Sequence, residues 1–488
     1  MTMKKRSIYI IFLLMVLPFA LFGQRNSPLL PEKFNIADYP RIAEELLTHL
    51  ENHGYPFATV TLQSHDPEQG DFTPRIVIDS NLFVTFDSIV LKGDVKLSSG
   101  FLYPYLGLKR GKPYNEQLMR QVARKLEELP FATVVREPGV AFVKDKAYLY
   151  VYLDKRQTSR FDGYIGLVPV DERTGKVAVT GQLDLALQNL FHIGESILID
   201  WNSSERHSQK LDISASFPFL FRTRFGIVSS FSLDKQDTSY LTLDFHAGVP
   251  YTFAVNSHIE PYFNLTSSSV LSPALAFPDN DTSYIDYRKT LYGVKVRYYR
   301  LDYLFNPRRG VDIGIDLSAG RRTLLPDRLS EEDGNNNIVT QQGSYRITGD
   351  VRGYIPIGRH WVIAPRLQGG SLLSGPHYDN ELFKIAGVDH LRGFNPNDLC
   401  ASTYLLYSAE VRFLFAKRSY THLFFDGGVY EQHTEHHYLR DAPFGFGAGV
   451  HIAVRSGTFY LEYALGRQMR NPISLKRGLI HFGIKVDF

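Results

Sequence analysis

Few residues of this sequence have the types and the spacing that chemistry requires, and the patterns that come nearest do not complete a site. The segment "GFGAGV" at 445–450 has glycines spaced as in nucleotide-binding loops. However, it alternates like a strand, and no helical pattern follows it. We interpret its glycines as strand residues that leave room for neighbouring side chains inside the fold.

The segment "HTEHH" at 433–437 could supply metal ligands at His433, His436 and His437. These histidines lie in a predicted surface loop, and no partner cluster accompanies them. The sequence contains no Gly-x-Ser-x-Gly elbow, no P-loop and no His-Glu-x-x-His pattern. We therefore predict no catalytic residue, no cofactor and no metal site.

Charge and cysteine content exclude further classes of protein. The 54 basic and 51 acidic residues are mixed along the chain and leave a formal charge of +3, so nucleic acid is not an expected partner. Cys400 is the only cysteine, which excludes an intramolecular disulfide and a zinc ribbon. The 29 Tyr and 34 Phe suit strands and the aromatic belts of membrane interfaces.

The first residues predict export from the cytoplasm. Lys4, Lys5 and Arg6 precede an apolar stretch that ends before Gly23, which is the pattern of a secretory signal peptide over 1–23. An uncleaved anchor is the alternative, but the stretch is short for a spanning helix and contains Pro18. Every later apolar run is interrupted by charges, Gly or Pro, so a membrane-embedded part would have to be a barrel.

The mature chain is predicted to begin with two small α+β units, over 24–82 and 83–157. The first has one amphipathic helix and two strands. The second has the order strand, helix, helix, strand, strand. Its predicted elements are a strand at 86–91, a helix at 99–106, a longer helix capped by Asn115, and strands at 132–136 and 147–153.

From about residue 158 the helical period disappears, and short alternating runs separated by turn residues continue to the C-terminus. We place sixteen strands there. The connections after even-numbered strands are tight, whereas several after odd-numbered strands are long and polar, notably 322–343 and 374–403. This asymmetry favours a sixteen-stranded antiparallel transmembrane β-barrel over a soluble β-sandwich, with both chain ends on the short-turn side.

The last strand has the alternation of a strand that faces lipid. Its apolar residues point to one face, and its polar residues point to the other. The strand resembles the signal by which barrels are recognised for assembly, and its apolar residues are Ile480, Phe482, Ile484, Val486 and Phe488.

Within the longest predicted loop lies "IAGVDHLRGFNPND" at 385–398. An arginine on so long a loop would be solvated and would form no lasting contact. Inside a barrel it could form bidentate bonds to carboxylates and hold the loop in place. The tetrad Leu391, Arg392, Gly393 and Phe394 resembles the (V/L/I)-R-G-(F/Y) motif of the BamA/TamA-type superfamily of outer-membrane insertases and two-partner secretion transporters. The resemblance implies that Arg392 turns into the lumen against Glu410 and Asp426.

The same resemblance covers about 83–488 and suggests what the protein does. It identifies 83–157 as similar to a polypeptide-transport-associated (POTRA) domain, and 24–82 as a partial copy. The implied activity is insertion or translocation of unfolded or secreted polypeptides at the outer membrane, with the N-terminal region in the periplasm and periplasmic or lipoprotein subunits as partners. Because the central assembly protein of the family has a longer arm, an accessory insertase, a secretion transporter or a specialised relative fits better.

Two alternatives from other classes stay open at this stage. A passive outer-membrane channel, or a barrel that only displays its loops, would share the strand pattern and the signal peptide. An enzymatic barrel would require a catalytic constellation, and no motif in the sequence supports one.

The barrel interpretation predicts where the protein is found and how it migrates on gels. We expect it to fractionate with the outer membrane and to migrate differently before and after boiling, because a closed barrel has no edge strand at which detergent can begin to unfold it. Recovery of the mature protein in the soluble periplasm would contradict the interpretation.

The last strand predicts a defect in assembly. Replacing Phe482 and Phe488 together by alanine should leave the protein in the periplasm, where it is degraded, because an unclosed barrel exposes backbone polar groups to lipid. Immunoblots of fractionated cells measure this outcome. Normal outer-membrane levels of the double variant would show that the alternation is no assembly signal.

Overall fold

A computed structural model describes most of the chain. The described residues are 35–64, 74–156, 158–171, 176–203, 208–237, 239–254, 256–271, 284–303, 306–325, 340–375, 377–395, 398–434, 437–454, 457–469, 473 and 478–485. The predicted signal peptide, 1–23, lies outside them. No helix among the described residues is long and apolar enough to cross a membrane.

The described chain begins with one helix and a two-stranded sheet. Helix α1, Tyr39–Glu51, has a proline in its first turn, where the missing N–H is not needed. Its apolar face buries Ile42 and Leu46. Strands β1, Thr59–Ser64, and β2, Pro74–Asp79, pair antiparallel. This is the helix, strand, strand order predicted from the sequence.

Three strands and two helices follow in the predicted order. Their bounds are β3 Thr85–Lys92, α2 Ser99–Leu106, α3 Glu116–Glu127, β4 Ala132–Val143 and β5 Lys146–Lys155. The Ser98 hydroxyl accepts a hydrogen bond from the N–H of Phe101, and Asn115 Oδ1 accepts one from the N–H of Leu118. Both are N-caps, so short polar side chains begin each helix. The sheet order is β3-β5-β4.

Strand β4 is longer than predicted. The sequence predicts its end at Arg136, and Pro138 and Gly139 follow that residue. The structure continues it to Val143. A proline is tolerated on an edge strand, where its missing N–H costs no ladder hydrogen bond, and β4 lies at the edge of the sheet.

The rest of the described chain forms a closed antiparallel barrel. Its sixteen long strands are β6 Arg160–Asp171, β7 Lys176–Gln188, β8 Ser196–Ser203, β9 Gln209–Phe217, β10 Ile227–Gln236, β11 Tyr240–Gly248, β13 Ser257–Val270, β14 Asp286–Leu301, β15 Gly310–Leu325, β16 Thr340–Ile357, β17 Trp361–Leu372, β20 Thr403–Ala416, β21 Ser419–His433, β23 Phe444–Val454, β24 Gly457–Arg467 and β25 Leu479–Lys485. The short strands β12, Tyr251–Ala254, and β22, Tyr438–Asp441, extend two hairpins. The predicted sixteen-stranded barrel preceded by an α+β region is thereby confirmed.

Connections differ between the two rims of the barrel. One rim has short turns, such as residues 358–360 between β16 and β17 and residues 417–418 between β20 and β21. The other rim has long connections, of which 373–402 is the longest and contains the paired two-residue strands β18, Phe383–Lys384, and β19, Cys400–Ala401.

One predicted connection begins too early. The sequence analysis places Arg322 at the start of a long polar connection, 322–343, but β15 continues to Leu325. Arg322 is 1% exposed and forms an ion pair with Glu381 of the long connection 373–402. The prediction is wrong because a polar residue was taken as a loop residue, although the inside of a barrel is polar as well.

Burial alternates along the strands, as a barrel requires. On β20 and β21 the side chains of Tyr407, Val411 and Leu423 are exposed, whereas Leu406 and Asp426 are buried. On the last strand Ile480 is 63% exposed and Phe482 73% exposed. This outward apolar band is the surface that lipid would cover. Of the remaining predicted assembly residues, Ile484 lies in β25, while Val486 and Phe488 lie outside the described residues.

By their contacts the residues divide into two compact units. The first consists of the described residues up to Ser88 together with Arg110–Arg120 and Val140–Leu149. The second consists of Ile89–Lys109, Gln121–Gly139 and Tyr150–Phe488, and contains the barrel. All site residues considered below belong to the second unit.

Candidate functional site

The long connection 373–402 has a folded apolar base. Strands β18 and β19 pair with each other, and the backbone N–H of Ile385 donates to the carbonyl of Leu399 at 2.9 Å. The buried side chains of Ile385, Leu391 and Leu399 pack with Leu406 of β20 and Tyr430 of β21. Burial of these apolar groups holds the connection against the inner face of the barrel wall.

Arg392 follows directly on this base and is 5% exposed. Its guanidinium forms a bidentate bond to Asp426, with Nε to Oδ2 and Nη2 to Oδ1 both at 2.7 Å. Nη1 donates to Glu410 Oε1 at 2.8 Å, and Nη2 also donates to Ser408 Oγ at 3.1 Å. The backbone N–H of Arg392 donates to Asp426 Oδ2 at 3.2 Å. The structure thus brings together the three ionic residues that the resemblance pairs.

Strand register explains why these partners converge. Ser408 of β20 lies directly opposite Asp426 of β21. Glu410 lies opposite Phe424, two residues along on each strand, so all four side chains point to one face. The Arg392 guanidinium carbon lies 3.6 Å from the centroid of the Phe424 ring, which adds a cation–π contact beneath the ion pairs.

Glycines on β23 and β24 make room for the tetrad. A Cβ on Gly445 would clash with the carbonyl oxygen of Arg392, and a Cβ on Gly466 would lie 2.8 Å from the Phe394 ring. Gly393 has φ +91°, and a Cβ there would lie 2.7 Å from the backbone nitrogen of Gly466. The glycines of "GFGAGV" are therefore strand residues that admit the loop, as the sequence analysis interprets them.

A second anchor holds the same connection at another wall of the barrel. Glu381, whose side chain is fully buried, bonds Arg322 Nη1 of β15 at 2.6 Å and lies 3.3 Å from Lys289 Nζ of β14. The neighbouring Asn380 donates to Ser268 Oγ of β13 at 2.9 Å. The charges are reversed relative to the first anchor, because here the connection carries the anion and the strands carry the cations.

Comparison with known proteins identifies the barrel. The family model of the Omp85 superfamily domain matches residues 189–488, which is more than half of the chain. The chain belongs to the Omp85 superfamily. Members of this superfamily are insertases and transporters, and membership points to the bacterial outer membrane.

Two solved structures of CdiB show a similar fold at low sequence identity. CdiB from Acinetobacter baumannii is 15% identical with a TM-score of 0.57, and the match covers 93% of this chain and 82% of that one. CdiB from Escherichia coli is 12% identical with a TM-score of 0.56, over 92% and 84% of the two chains. BamA from Haemophilus ducreyi lacking POTRA domains 1-3 is 15% identical with a TM-score of 0.48, over 93% of both chains. No curated protein matches the chain significantly.

Three members of this Omp85 site were missed by the sequence analysis. Glu462 of β24 is 3% exposed, and its Oε1 lies 3.7 Å from Arg392 Nη1. Ser408 and Phe424 contact the guanidinium directly. The sequence does single out Glu462, because it is the only acidic residue of its predicted strand, 458–466. Its contact with Arg392 could not be read, because that arginine lies far away in sequence, on the connection 373–402.

The histidines of "HTEHH" do not form a cluster in the part of the chain that the structure describes. His433 packs edge-on against Tyr438, and His437 Nδ1 lies 3.0 Å from Thr434 Oγ1. Glu435 and His436 lie outside the described residues.

Removal of the arginine should destabilise the barrel. We expect Arg392→Ala to lower the free energy of unfolding by up to about 3–5 kcal/mol, because it leaves Asp426 and Glu410 buried without their shared cation. Lumen water that solvates the carboxylates would reduce this loss. Arg392→Lys should recover only part of it, since an ammonium cannot bond Asp426 in a bidentate way. The measurement is the temperature at which the folded gel band disappears.

The matched control is Arg440→Ala, which removes an exposed arginine from β22. A change within about 0.5 kcal/mol is expected there. Digestion of intact cells from outside should cleave the 373–402 connection faster in the Arg392→Ala strain than in the control. Equal stability and equal cleavage in the two strains would show that Arg392 does not hold the connection.

Proposed function

We propose that this protein inserts or translocates polypeptides at the outer membrane, with its N-terminal α+β region in the periplasm and the connection 373–402 acting as a plug held in the lumen. The observation that carries the proposal is the Arg392 network, in which one loop arginine is buried against Asp426 and Glu410. A buried charge is expensive unless it is paired, so a chain that only displayed this loop outside would have no use for such an arrangement.

Two anchors support a plugged barrel over a passive channel. The connection is bound at β20 and β21 through Arg392, and at β14 and β15 through Glu381. The strands β16 and β17 separate the two attachment points, so the connection is fixed inside the barrel across at least these strands and narrows the space through which solutes would diffuse. Two buried sets of ion pairs that hold a loop inside the barrel would not help a channel to conduct solutes.

The sheet of 83–157, which resembles a POTRA domain, has an edge on β4 to which a substrate strand can add. Both outer strands of the order β3-β5-β4 have an edge. The first part of the β3 edge is occupied, because the backbone groups of Phe86 bond Gly111 and Lys112 at 2.8 Å. Strand β4 has no second partner strand among the described residues, and Val135 on it is 61% exposed. An extended polypeptide can add to such an edge by backbone hydrogen bonds.

The test is a deletion strain complemented with variants, followed by quantitative proteomics of the outer membrane and the medium. Deletion should lower the amount of specific barrel proteins if the protein inserts them, or of specific secreted proteins if it translocates them. Arg392→Ala should give a weaker form of the same change. A deletion that alters solute uptake and leaves both proteomes unchanged would favour the passive channel and contradict the proposal.

The role of the sheet edge is tested separately by Val135→Lys, because a charged side chain on an edge strand discourages pairing with another strand. Its matched control is Leu82→Lys, which places the same charge at another exposed apolar position, 45% exposed, off the edge. We expect the proteome change of the deletion strain to reappear with Val135→Lys alone. Normal proteomes with both variants would leave the edge without a role in substrate capture.

A further inference from the structure

A second group of ionisable side chains lies on the inner face of the barrel, beside the Arg392 network. It consists of His422 on β21, His451 on β23 and Glu462 on β24, which come from three neighbouring strands. His422 and Glu462 are both 3% exposed, and His451 is half-buried. One ligand atom from each residue lies within 4.8 Å of the others. The proposed transport function assigns no task to these histidines.

The distances within the group fit a small, tetrahedrally bound cation. His422 Nε2 lies 3.3 Å from Glu462 Oε1, and His451 Nε2 lies 3.1 Å from the same oxygen. A zinc ion that binds nitrogen and oxygen at about 2.0–2.1 Å holds its ligand atoms about 3.3 Å apart. The two separations are close to the edges of a zinc tetrahedron, and the shorter one is also the length of a hydrogen bond between His451 and Glu462.

Several polar atoms of the group are buried without a hydrogen-bond partner among the described residues. They are the Nδ1 atom of His422 and the Oε2 atom of Glu462, while the Nε2 atom of His422 has only its 3.3 Å ion contact with Glu462 Oε1. Buried polar groups normally have partners, because loss of solvation without compensation is costly. The contact of Glu462 with Arg392 at 3.7 Å is longer than a hydrogen bond, so Glu462 is not committed to that arginine.

A glycine creates the space in which the group meets. Gly449 of β23 lies directly between His422 of β21 and Glu462 of β24 in the strand register. A Cβ there would lie 2.6 Å from His422 Cε1 and 2.8 Å from Glu462 Cγ. Any other residue at 449 would push the two ligands apart. The sequence pattern "GFGAGV" thus serves the Arg392 tetrad at one end and this group at the other.

The ionic side chains around Glu462 do not balance one another in charge. The ion pairs that reach Glu462 join three carboxylates, Glu410, Asp426 and Glu462, to two guanidiniums, Arg392 and Arg412. With both histidines neutral, this connected set has one negative charge in excess. A proton on a histidine would balance it. A divalent ion would leave one positive charge, which a hydroxide in the fourth ligand position would balance, and the ion would also satisfy the unpartnered atoms.

We propose that His422, His451 and Glu462 bind one divalent transition-metal ion, for which zinc is the best match. Two imidazoles and one carboxylate are a usual zinc ligand set, and three protein ligands leave a fourth position for water. The ion ties β21, β23 and β24 together next to the last strand of the barrel. It thereby strengthens the wall against which Arg392 holds the connection 373–402. This site is separate from "HTEHH", the metal candidate of the sequence analysis.

The experiment uses the purified full-length protein, folded in detergent, stripped with a chelator and titrated with Zn²⁺ or Co²⁺. We expect one tightly bound ion per chain, and for Co²⁺ the intense visible absorption of a tetrahedral complex. Zinc should also raise the temperature at which the folded gel band disappears. His451→Gln and Glu462→Gln should each abolish the tight binding, the cobalt spectrum and the stabilisation by zinc.

Two controls locate the ion. His246→Gln removes a histidine whose Nε2 lies 2.8 Å from Glu260 Oε1 elsewhere in the barrel, and it should leave binding unchanged. Replacement of His433, His436 and His437 together by glutamine should also leave it unchanged. Because His451 is half-buried, its glutamine variant is expected to fold, and the folded gel band verifies this before titration.

The outcomes separate the possibilities. Absence of tight binding by the folded wild-type protein would overturn the proposal and favour a protonated histidine as the balancing cation. Binding that persists in both cluster variants, or that disappears in a control, would place the ion elsewhere and also overturn it. Transport by the complemented strain is measured independently, so failure of the metal site and failure of the proposed function are distinguishable.

Discussion

The burial of the Arg392 guanidinium is the interaction on which the inner part of this barrel depends. A buried guanidinium is tolerated only when anions balance its charge and its N–H groups have hydrogen-bond acceptors held in place. Asp426, Glu410 and Ser408 do so because the register of β20 and β21 points all three toward one spot. The position of this one side chain then determines the path of the loop. It also explains why small residues face the loop.

The glycines show how far this constraint reaches. Gly445 and Gly466 lie where the backbone and ring of the tetrad press against β23 and β24, and Gly449 lies between His422 and Glu462. Glycine in a strand interior costs stability, because it packs nothing and loses entropy on folding. Its use at these positions indicates that close approach to the wall contributes more than the lost packing. The same wall holds the ionic network and the proposed metal ligands.

Much of the architecture was predictable from local pattern. Alternation and turn residues predicted sixteen strands and the contrast between short and long connections, because each strand of a barrel separates lipid from a polar interior. The family motif predicted that Arg392 meets Glu410 and Asp426. The prediction failed at Arg322, because a charged residue near a strand end reads as a loop residue when nothing indicates its partner. Its partner Glu381, which allows Arg322 to be buried, lies 59 positions away in sequence.

The sequence by itself determined the class of the protein, since strand period, turn chemistry and an (V/L/I)-R-G-(F/Y) tetrad are local properties that each segment carries without its neighbours. Only the tertiary structure decided which residues share the interior. The second anchor through Glu381, the place of Glu462 beside Arg392, and the meeting of His422 with His451 all depend on strand register and on closure of the sheet. Those depend on pairings between distant segments, where a shift of one residue turns every side chain to the other face.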